Sequence, residues 1–236
     1  MSDLTILLPT KNEVESIGTV IEEIKSTFSL SPKILVVDGK STDGTLDIAY
    51  DKKVDVFVGQ GNGKGLDIRG TLAFIDTPYI IMIDSDYTYT AEDAQVLYYL
   101  LEVVPYDVVI GCRQYKEKGS MSLTNTFGNF CLSLLASILY KHRVWDVCSG
   151  MWGFRKEALD KFNLTSEGFT LEADLFINAV KNKCKIGQIP IRYRKRLEDS
   201  RAKLKIWDGF KIGWFLIKRR FAWEYLSRVR ILKYRK

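Results

Sequence analysis

Two hundred and thirty-six residues, 46% hydrophobic and 27% charged, suit one large domain or one domain with an appendage, and they exclude a wholly disordered chain. The formal charge of +6 is unevenly placed: residues 203–236 hold eleven Lys/Arg and two Asp/Glu, net +9, so the first 202 residues carry −3. Four cysteines spaced 19, 17 and 36 apart, with no CxxC and a single histidine, argue against a structural zinc centre and for isolated core thiols in a reducing compartment.

The opening MSDLTILLPTKNE has neither a basic leader nor an apolar stretch long enough for a signal peptide, which predicts residence in the cytoplasm. Residues 4–8 are a β-prone apolar run stopped by Pro9, and residues 15–28 place Ile17, Val20, Ile21 and Ile24 at helical spacing. The unit repeats. A strand at 33–37 precedes DGKSTDGT and a helix from Thr45, capped by its own hydroxyl or that of Thr42. A third strand at 54–58 leads through the glycine-rich GQGNGKG into a helix at 66–74. The fourth strand, 79–83, is apolar without interruption, as a strand covered on both faces should be.

A helix follows Thr90 to about residue 103, then a strand at 107–111. Residues 119–140 carry no formal charge, yet Asn125, Gly128 and Asn129 favour a buried or interfacial helix over a spanning one. A short helix start at FRKEAL, a helix at 171–180 and a strand at 185–193 complete the body. In the tail, Trp207, Phe210, Trp214, Ile217 and Phe221 share roughly one helical face beside many Lys and Arg. That pattern fits a membrane-surface helix, or a core-packing helix with a basic solvent face. No nucleic-acid-binding motif supports an RNA or DNA partner. Alternating strands and helices predict an open α/β sheet, whose ligands bind at the carboxyl ends of the strands.

Several polar clusters fall at those ends. Asp84-Ser85-Asp86 follows the apolar YIIMI, so two carboxylates can reach one hard cation whose oxygen shell a diphosphate completes. Asp38 and Asp43 flank a Gly/Ser/Thr turn, where they either accept from a base or ribose or serve the turn itself. The glycines around Lys64 match neither a dinucleotide fingerprint nor a P-loop; they read as a plain turn or as a flexible loop bringing Lys64 to phosphate. Glu172 and Asp174 open a helix, as a base, as sugar-hydroxyl acceptors or as a solvated first turn. Arg113 and the basic run from Arg192 to Lys205 would suit phosphorylated reactants or an ordinary charged surface.

Taken in order, these segments resemble family 2 glycosyltransferases of the GT-A fold, most of all the dolichyl-phosphate mannosyltransferase group and its archaeal polyprenyl-phosphate relatives. LLPTKNE is similar to the family's P-x-x-N-E, VVDGKSTDGT to V-V-D-D-G-S-x-D-x-T with Gly39 in place of the second aspartate, and Asp84-Ser85-Asp86 to its DxD. Gly111-Cys112-Arg113 resembles G-S-R, DVCSGMWGFR resembles D-x-x-S-G-F-R-x-F-R, and GFTLEADL resembles G-F-x-x-E-x-E/D-L. IPIRYRKRLEDSRAKL is similar to the closing P-I-x-Y-x-x-R…S-K-L loop. Thr88 stands where glutamine is frequent, and Asn125 where a second phosphate-binding arginine is frequent.

The resemblance implies a single Rossmann-like, mixed but mostly parallel sheet flanked by helices, with a catalytic domain over 1–203 and an amphipathic basic aromatic helical tail over 204–236. It implies donor contacts from Pro9, Asn12, Glu13, Asp38, Asp43, Lys64, Ser85 and Lys203, and acceptor contacts from Arg113, Asn125, Ser149 and Arg196. Asp84, Asp86, Arg113 and Glu172 would carry the chemistry, the first two holding Mg²⁺ or Mn²⁺. The implied reaction inverts the anomeric carbon while moving a hexose from a nucleotide diphosphate sugar to dolichyl or polyprenyl phosphate. GDP-mannose is the favoured donor, with UDP-glucose and UDP-N-acetylhexosamine as alternatives. A soluble acceptor and a non-enzymatic nucleotide- or membrane-binding protein are the competing classes. The expected location is peripheral, on the cytoplasmic face of a membrane.

Overall fold

The computed structural model describes residues 3–197 and 206–233. Its strands are β1 (Leu4–Thr10), β2 (Lys33–Asp38), β3 (Asp55–Val58), β4 (Tyr79–Met82), β5 (Val108–Lys116), β6 (Trp152–Arg155) and β7 (Ile186–Tyr193). They form one sheet in the order β3-β2-β1-β4-β6-β5-β7. Pairing is parallel except at β6, which runs antiparallel to both β4 and β5. The helices are α1 (Val14–Thr27), α2 (Thr45–Asp51), α3 (Lys64–Thr71, continued as a 3₁₀ turn at Leu72–Phe74), α4 (Ala91–Val103), α5 (Leu123–Tyr140), α6 (Lys156–Leu159), α7 (Leu171–Lys181) and α8 (Ile206–Lys233).

Side chains alternate across the pleat, so the two faces of the sheet build two cores. Ile6, Leu8 and Ile81 pack with Ile17, Ile21 and Ile24 of α1 and Leu97 and Leu101 of α4. On the other face, Leu7, Ile80 and Met82 join Trp152, Phe154, Ala136 of α5, Phe176 of α7 and Leu216 of α8. Burial on both sides explains why β4 reads as unbroken apolar sequence.

The structure departs from the expected elements in places that packing explains. Pro9 lies inside β1 instead of ending it, opposite Val37; pairing with β4 stops at Leu7↔Met82, so no ladder N–H is needed on that side beyond it. β6 was not expected at all. β5 runs past Gly111 to Lys116 because β7 pairs with it across a register shift between Arg113 and Tyr115. Cys131 is exposed on α5, contrary to the expectation of core thiols, and all four cysteines are free.

The tail is more than an appendage. Ile212 and Leu216 of α8 are buried in the core, while Trp207, Phe210, Trp214 and Phe221 are exposed. α8 lies along α5: Tyr140 Oη donates to Leu216 O at 2.9 Å, and a Cβ added at Gly213 would meet Leu132 at 3.5 Å. α5 is the one described helix long and apolar enough to cross a membrane by length and composition. It is nevertheless tied into the domain, since Val147 N donates to Ser133 Oγ and Val144 N to Ser137 Oγ, both at 3.0 Å.

Candidate active site

The loops after β1, β2, β3 and β4 meet at the carboxyl edge of the parallel strands. There the backbone must turn sharply, and short polar side chains hold the turns by local hydrogen bonds. Asp38 is fully buried and takes Ser41 N at 2.9 Å and Ser41 Oγ at 2.5 Å. Asn12, in the left-handed region at φ 49, accepts from Thr42 N at 2.9 Å and donates its own N–H to Ser41 Oγ at 2.8 Å. Asp43 takes Val14 N and Thr45 N, each at 3.1 Å, and so caps α1 and α2 together. Burial would raise its carboxyl pKa, but the bonds from Thr45 and Val14 hold it below the ordinary range. Thr45 Oγ1 accepts from Glu13 N at 2.9 Å, so the expected hydroxyl cap of α2 is replaced by Asp43.

The segment after β4 is braced from beneath. Ser85 Oγ donates to Pro9 O at 2.9 Å and Ser85 O accepts from Ser16 Oγ at 2.8 Å. Ser85 is buried with its hydroxyl turned onto β1; Asp84 is partly exposed at the edge and Asp86 is itself buried. Asp86 takes Thr88 N at 3.2 Å and Thr88 Oγ1 at 2.5 Å. Its other oxygen is ion-paired with Arg196, beyond β7. Asp84 receives Lys64 Nζ at 2.6 Å, and the same nitrogen lies 2.6 Å from Glu172 in the first turn of α7. Burial pulls the Lys64 ammonium pKa down, but Asp84 and Glu172 together outweigh it and hold it above the ordinary value. Burial pushes the Glu172 carboxyl up, and Lys64 only partly opposes that.

Two glycines make this convergence possible. A Cβ at position 150 would overlap the Asp84 carboxylate, and one at position 63, where φ is 136°, would strike the Glu167 carbonyl. Gly150 N donates to the buried Tyr89 hydroxyl at 2.6 Å. Asp67 fixes the glycine loop by accepting from Gln60 N at 2.8 Å and Gly61 N at 3.3 Å.

Thus Lys64, Asp84 and Glu172 form one ion-paired group and Asp86 and Arg196 a second, joined through the 84–86 backbone, and the loops of Pro9, Asn12, Glu13, Asp38 and Asp43 line the same edge. Other expected residues have different surroundings. Arg113 places two guanidinium nitrogens on Asp146, each at 2.7 Å, with Tyr193 at 5.3 Å from its centre. Burial would raise the Asp146 carboxyl pKa, yet Arg113 holds it below its ordinary range. Ser149 is fully buried and donates to Gly111 O. Asn125 is exposed in the first turn of α5, where its N–H meets Ser122 Oγ at 3.1 Å. Lys203 lies outside the described residues.

Sequence reasoning did not single out Asp67 or Tyr89. Asp67 left a faint local signal, an acid two residues after the glycine-rich turn. Tyr89 left none, because its partner Gly150 is 61 residues away.

Among the described residues no group of three or more His, Cys, Asp or Glu side chains forms a metal-holding cluster. Asp84 and Asp86 alone supply two hard oxygen donors, so a cation there would draw its remaining oxygens from water and a diphosphate, as Mg²⁺ ordinarily does. Both acids already face positive charge, from Lys64 and Arg196. Their hard oxygens fit Mg²⁺ or Mn²⁺ once those side chains move off them.

A carboxylate pair on the carboxyl edge of a mostly parallel sheet with one antiparallel insertion is the plan of a GT-A glycosyltransferase. Solved structures share the fold. Mannosyl-3-phosphoglycerate synthase from Rubrobacter xylanophilus superposes with a TM-score of 0.74 at 20% identity, over 96% of this chain and 75% of that one. Glucosyl-3-phosphoglycerate synthase from Mycobacterium tuberculosis, solved with Mn²⁺, UDP and glucosyl-3-phosphoglycerate, gives 0.72 at 20% identity over 92% and 79%.

The model of glycosyl transferase family 2 matches residues 5–162, and the chain belongs to that family. It is 36% identical over 208 residues to glycosyltransferase AglJ of Haloferax volcanii, covering 86% of this chain and 67% of the relative. It is 31% identical over 201 residues to a dolichyl-phosphate hexose transferase of the same organism, covering 84% and 86%.

Proposed function

We propose that this glycosyltransferase moves a hexose, mannose first among the candidates, from a nucleotide diphosphate sugar to a dolichyl or polyprenyl phosphate, with inversion. The observation that carries the reading is the Lys64–Asp84–Glu172 and Asp86–Arg196 cluster, where acids for a cation and bases for phosphates share one edge. Support for a lipid acceptor comes from the relative named dolichyl-phosphate hexose transferase.

An acceptor phosphate oxygen attacks the anomeric carbon from the face opposite the leaving group. The new C–O bond forms as the bond to the donor's β-phosphate breaks, and the nucleoside diphosphate leaves with the electron pair. The acceptor is mostly dianionic at neutral pH, since a phosphate monoester's second pKa is about 6, so no strong general base is required. A bound Mg²⁺ or Mn²⁺ on Asp84 and Asp86 would offset charge on the departing diphosphate. Lys64 and Arg196 contribute positive charge to the same phosphates, and Glu172 orients sugar hydroxyls at the start of α7.

The acceptor's chain cannot diffuse freely in water, and the protein has a surface suited to it. Leu123, Phe127, Phe130, Leu134 and Ile138 form an exposed apolar stripe on α5, continued on α8 by Trp207, Phe210, Trp214 and Phe221. Lys211 and Lys218, both exposed, and Arg220 accompany it. We read this pair of helices as lying in the headgroup layer of an anionic bilayer, on its cytoplasmic face. Because the second half of α5 is bonded to the rest of the domain through Ser133, Ser137 and Tyr140, we read it as lying on the bilayer and not spanning it.

The test is a panel of radiolabelled GDP-mannose, UDP-glucose and UDP-N-acetylglucosamine with polyprenyl phosphate and Mn²⁺, resolved by organic extraction. Label in the lipid phase from one donor is the expected result. Label transferred only to a water-soluble acceptor such as 3-phosphoglycerate, or to none, overturns the reading.

A further inference from the structure

The acids that would hold a divalent cation already have cations on them. Lys64 Nζ sits 2.6 Å from both Asp84 and Glu172, and the Arg196 guanidinium is on Asp86. Lys64 is the first residue of α3, just after the glycine loop, and Arg196 lies three residues past the end of β7. Both side chains are long and attached where the backbone leaves regular structure, so each can swing without breaking a helix or a strand.

A divalent cation arriving alone meets carboxylates already paired with Lys64 and Arg196; it must push Lys64 back onto Glu172 alone and strip Arg196 of its only acid partner among the described ion pairs. A nucleoside diphosphate arriving alone meets three carboxylates. Arriving together, the two reactants solve each other's difficulty: the cation takes the carboxylates, and the freed ammonium and guanidinium take the phosphates. This exchange needs only charge and reach, and it applies to any nucleotide diphosphate.

We infer that Lys64 and Arg196 are stand-in cations, which hold Asp84 and Asp86 in the resting enzyme and cross to the donor's diphosphate when a divalent cation replaces them. The inference rests on reading this cluster as the cation and diphosphate site. Its consequence is that metal and nucleotide reinforce each other's binding. Linkage requires the reinforcement to be equal in both directions.

The experiment follows free Mn²⁺ by its electron paramagnetic resonance signal during titration of the full chain, with and without saturating GDP or UDP. The wild type should bind Mn²⁺ weakly alone and at least about fivefold more tightly with nucleotide, within the ordinary range of coupling between sites. Lys64→Met should bind Mn²⁺ alone more tightly than the wild type and nucleotide less tightly, so that the coupling shrinks. Arg196→Gln should act in the same direction, and it covers the case in which Lys64→Met fails to fold. Asp84→Asn should abolish Mn²⁺ binding.

Unchanged or weaker binding of Mn²⁺ alone in the folded Lys64 or Arg196 variants overturns the exchange while leaving the cation site intact. Absence of Mn²⁺ binding by the wild type even with both nucleotides overturns the site reading along with it.

Discussion

Replacing Asp146 by alanine tests whether the pair it makes with Arg113 is an internal strut. Asp146 accepts from Arg113 N at 3.0 Å and from Nε and one terminal nitrogen at 2.7 Å. The two side chains are only 10% and 4% exposed, so water cannot replace the lost partner. Removing one member of a buried, hydrogen-bonded ion pair costs about 3–5 kcal/mol, because the other charge stays buried and unmatched. With about 1–3 kcal/mol per molar urea as the denaturant dependence, the midpoint should fall by at least about 1 M.

The double variant Arg113→Met/Asp146→Leu removes both charges and should recover most of that loss. The pH dependence has a defined sign. Asp146 is held below the ordinary carboxyl range in the fold, so its contribution is present above the unfolded value of about 3.9 and disappears as pH falls through the folded one. Urea unfolding of the wild type and the two variants at pH 7 and at about pH 2, below the ordinary carboxyl range, reads all of this. A loss under about 1 kcal/mol in Asp146→Ala, or a double variant no more stable than the single one, refutes the strut. It would then release Arg113 for a phosphate.

Three further outcomes follow from the packing. Gly150→Ala should fold normally yet lose at least about tenfold in turnover, because the new methyl group overlaps the Asp84 carboxylate; unfolding and rate measurements on one preparation separate the two effects. Leu216→Ala should cost about 2–5 kcal/mol, since that side chain is fully buried, whereas Trp214→Ser, on the exposed face, should leave stability within about 0.5 kcal/mol and reduce sedimentation with anionic vesicles. Arg219→Met should cost about 1–3 kcal/mol and speed hydrogen exchange at Thr165 and Ser166, whose amides donate to the Asp174 carboxylate that Arg219 meets at 3.3 Å.

What the sequence discloses is what is decided locally. The apolar run of β4 and the start of α4 after Thr90, whose hydroxyl accepts from Asp93 N at 3.2 Å, are complete within a few residues and both elements are legible. So was the acid pair at 84 and 86, because a strand end fixes both side chains. β6 was not legible: WGFR is four residues long, and its strand character comes from lying between β4 and β5. The cap on α2 was misassigned between two threonines because Asp43 serves two helices, one of them 29 residues back in the chain. Lys64 could be read as mobile and basic, but its bridge to Glu172 spans 108 residues and exists only once α7 docks. Ser85 and Ser149 looked like contact residues from their motifs; three-dimensional packing turns both hydroxyls onto backbone carbonyls.

The same packing links the exposed helix pair to the chemistry. Arg219 of α8 meets Asp174 of α7, and Asp174 takes the amides of Thr165 and Ser166. A Cβ added at Gly65 would lie 2.7 Å from Ser166 O, and Leu66 N donates to Glu167 O at 3.2 Å, so the 165–170 loop sets the height of the glycine loop and of Lys64. Between that loop and α8 lies a cavity of about 350 Å³ that includes Phe169, Asp208, Lys211 and Phe215 in its lining. The loop is therefore packed tightly on its catalytic side and loosely towards α8, while Arg219 ties α8 to Asp174 of α7. Asp174, held from α8, thus lies four consecutive contacts from Asp84, by way of Ser166, the glycine loop and Lys64, with the sheet taking no part in the chain.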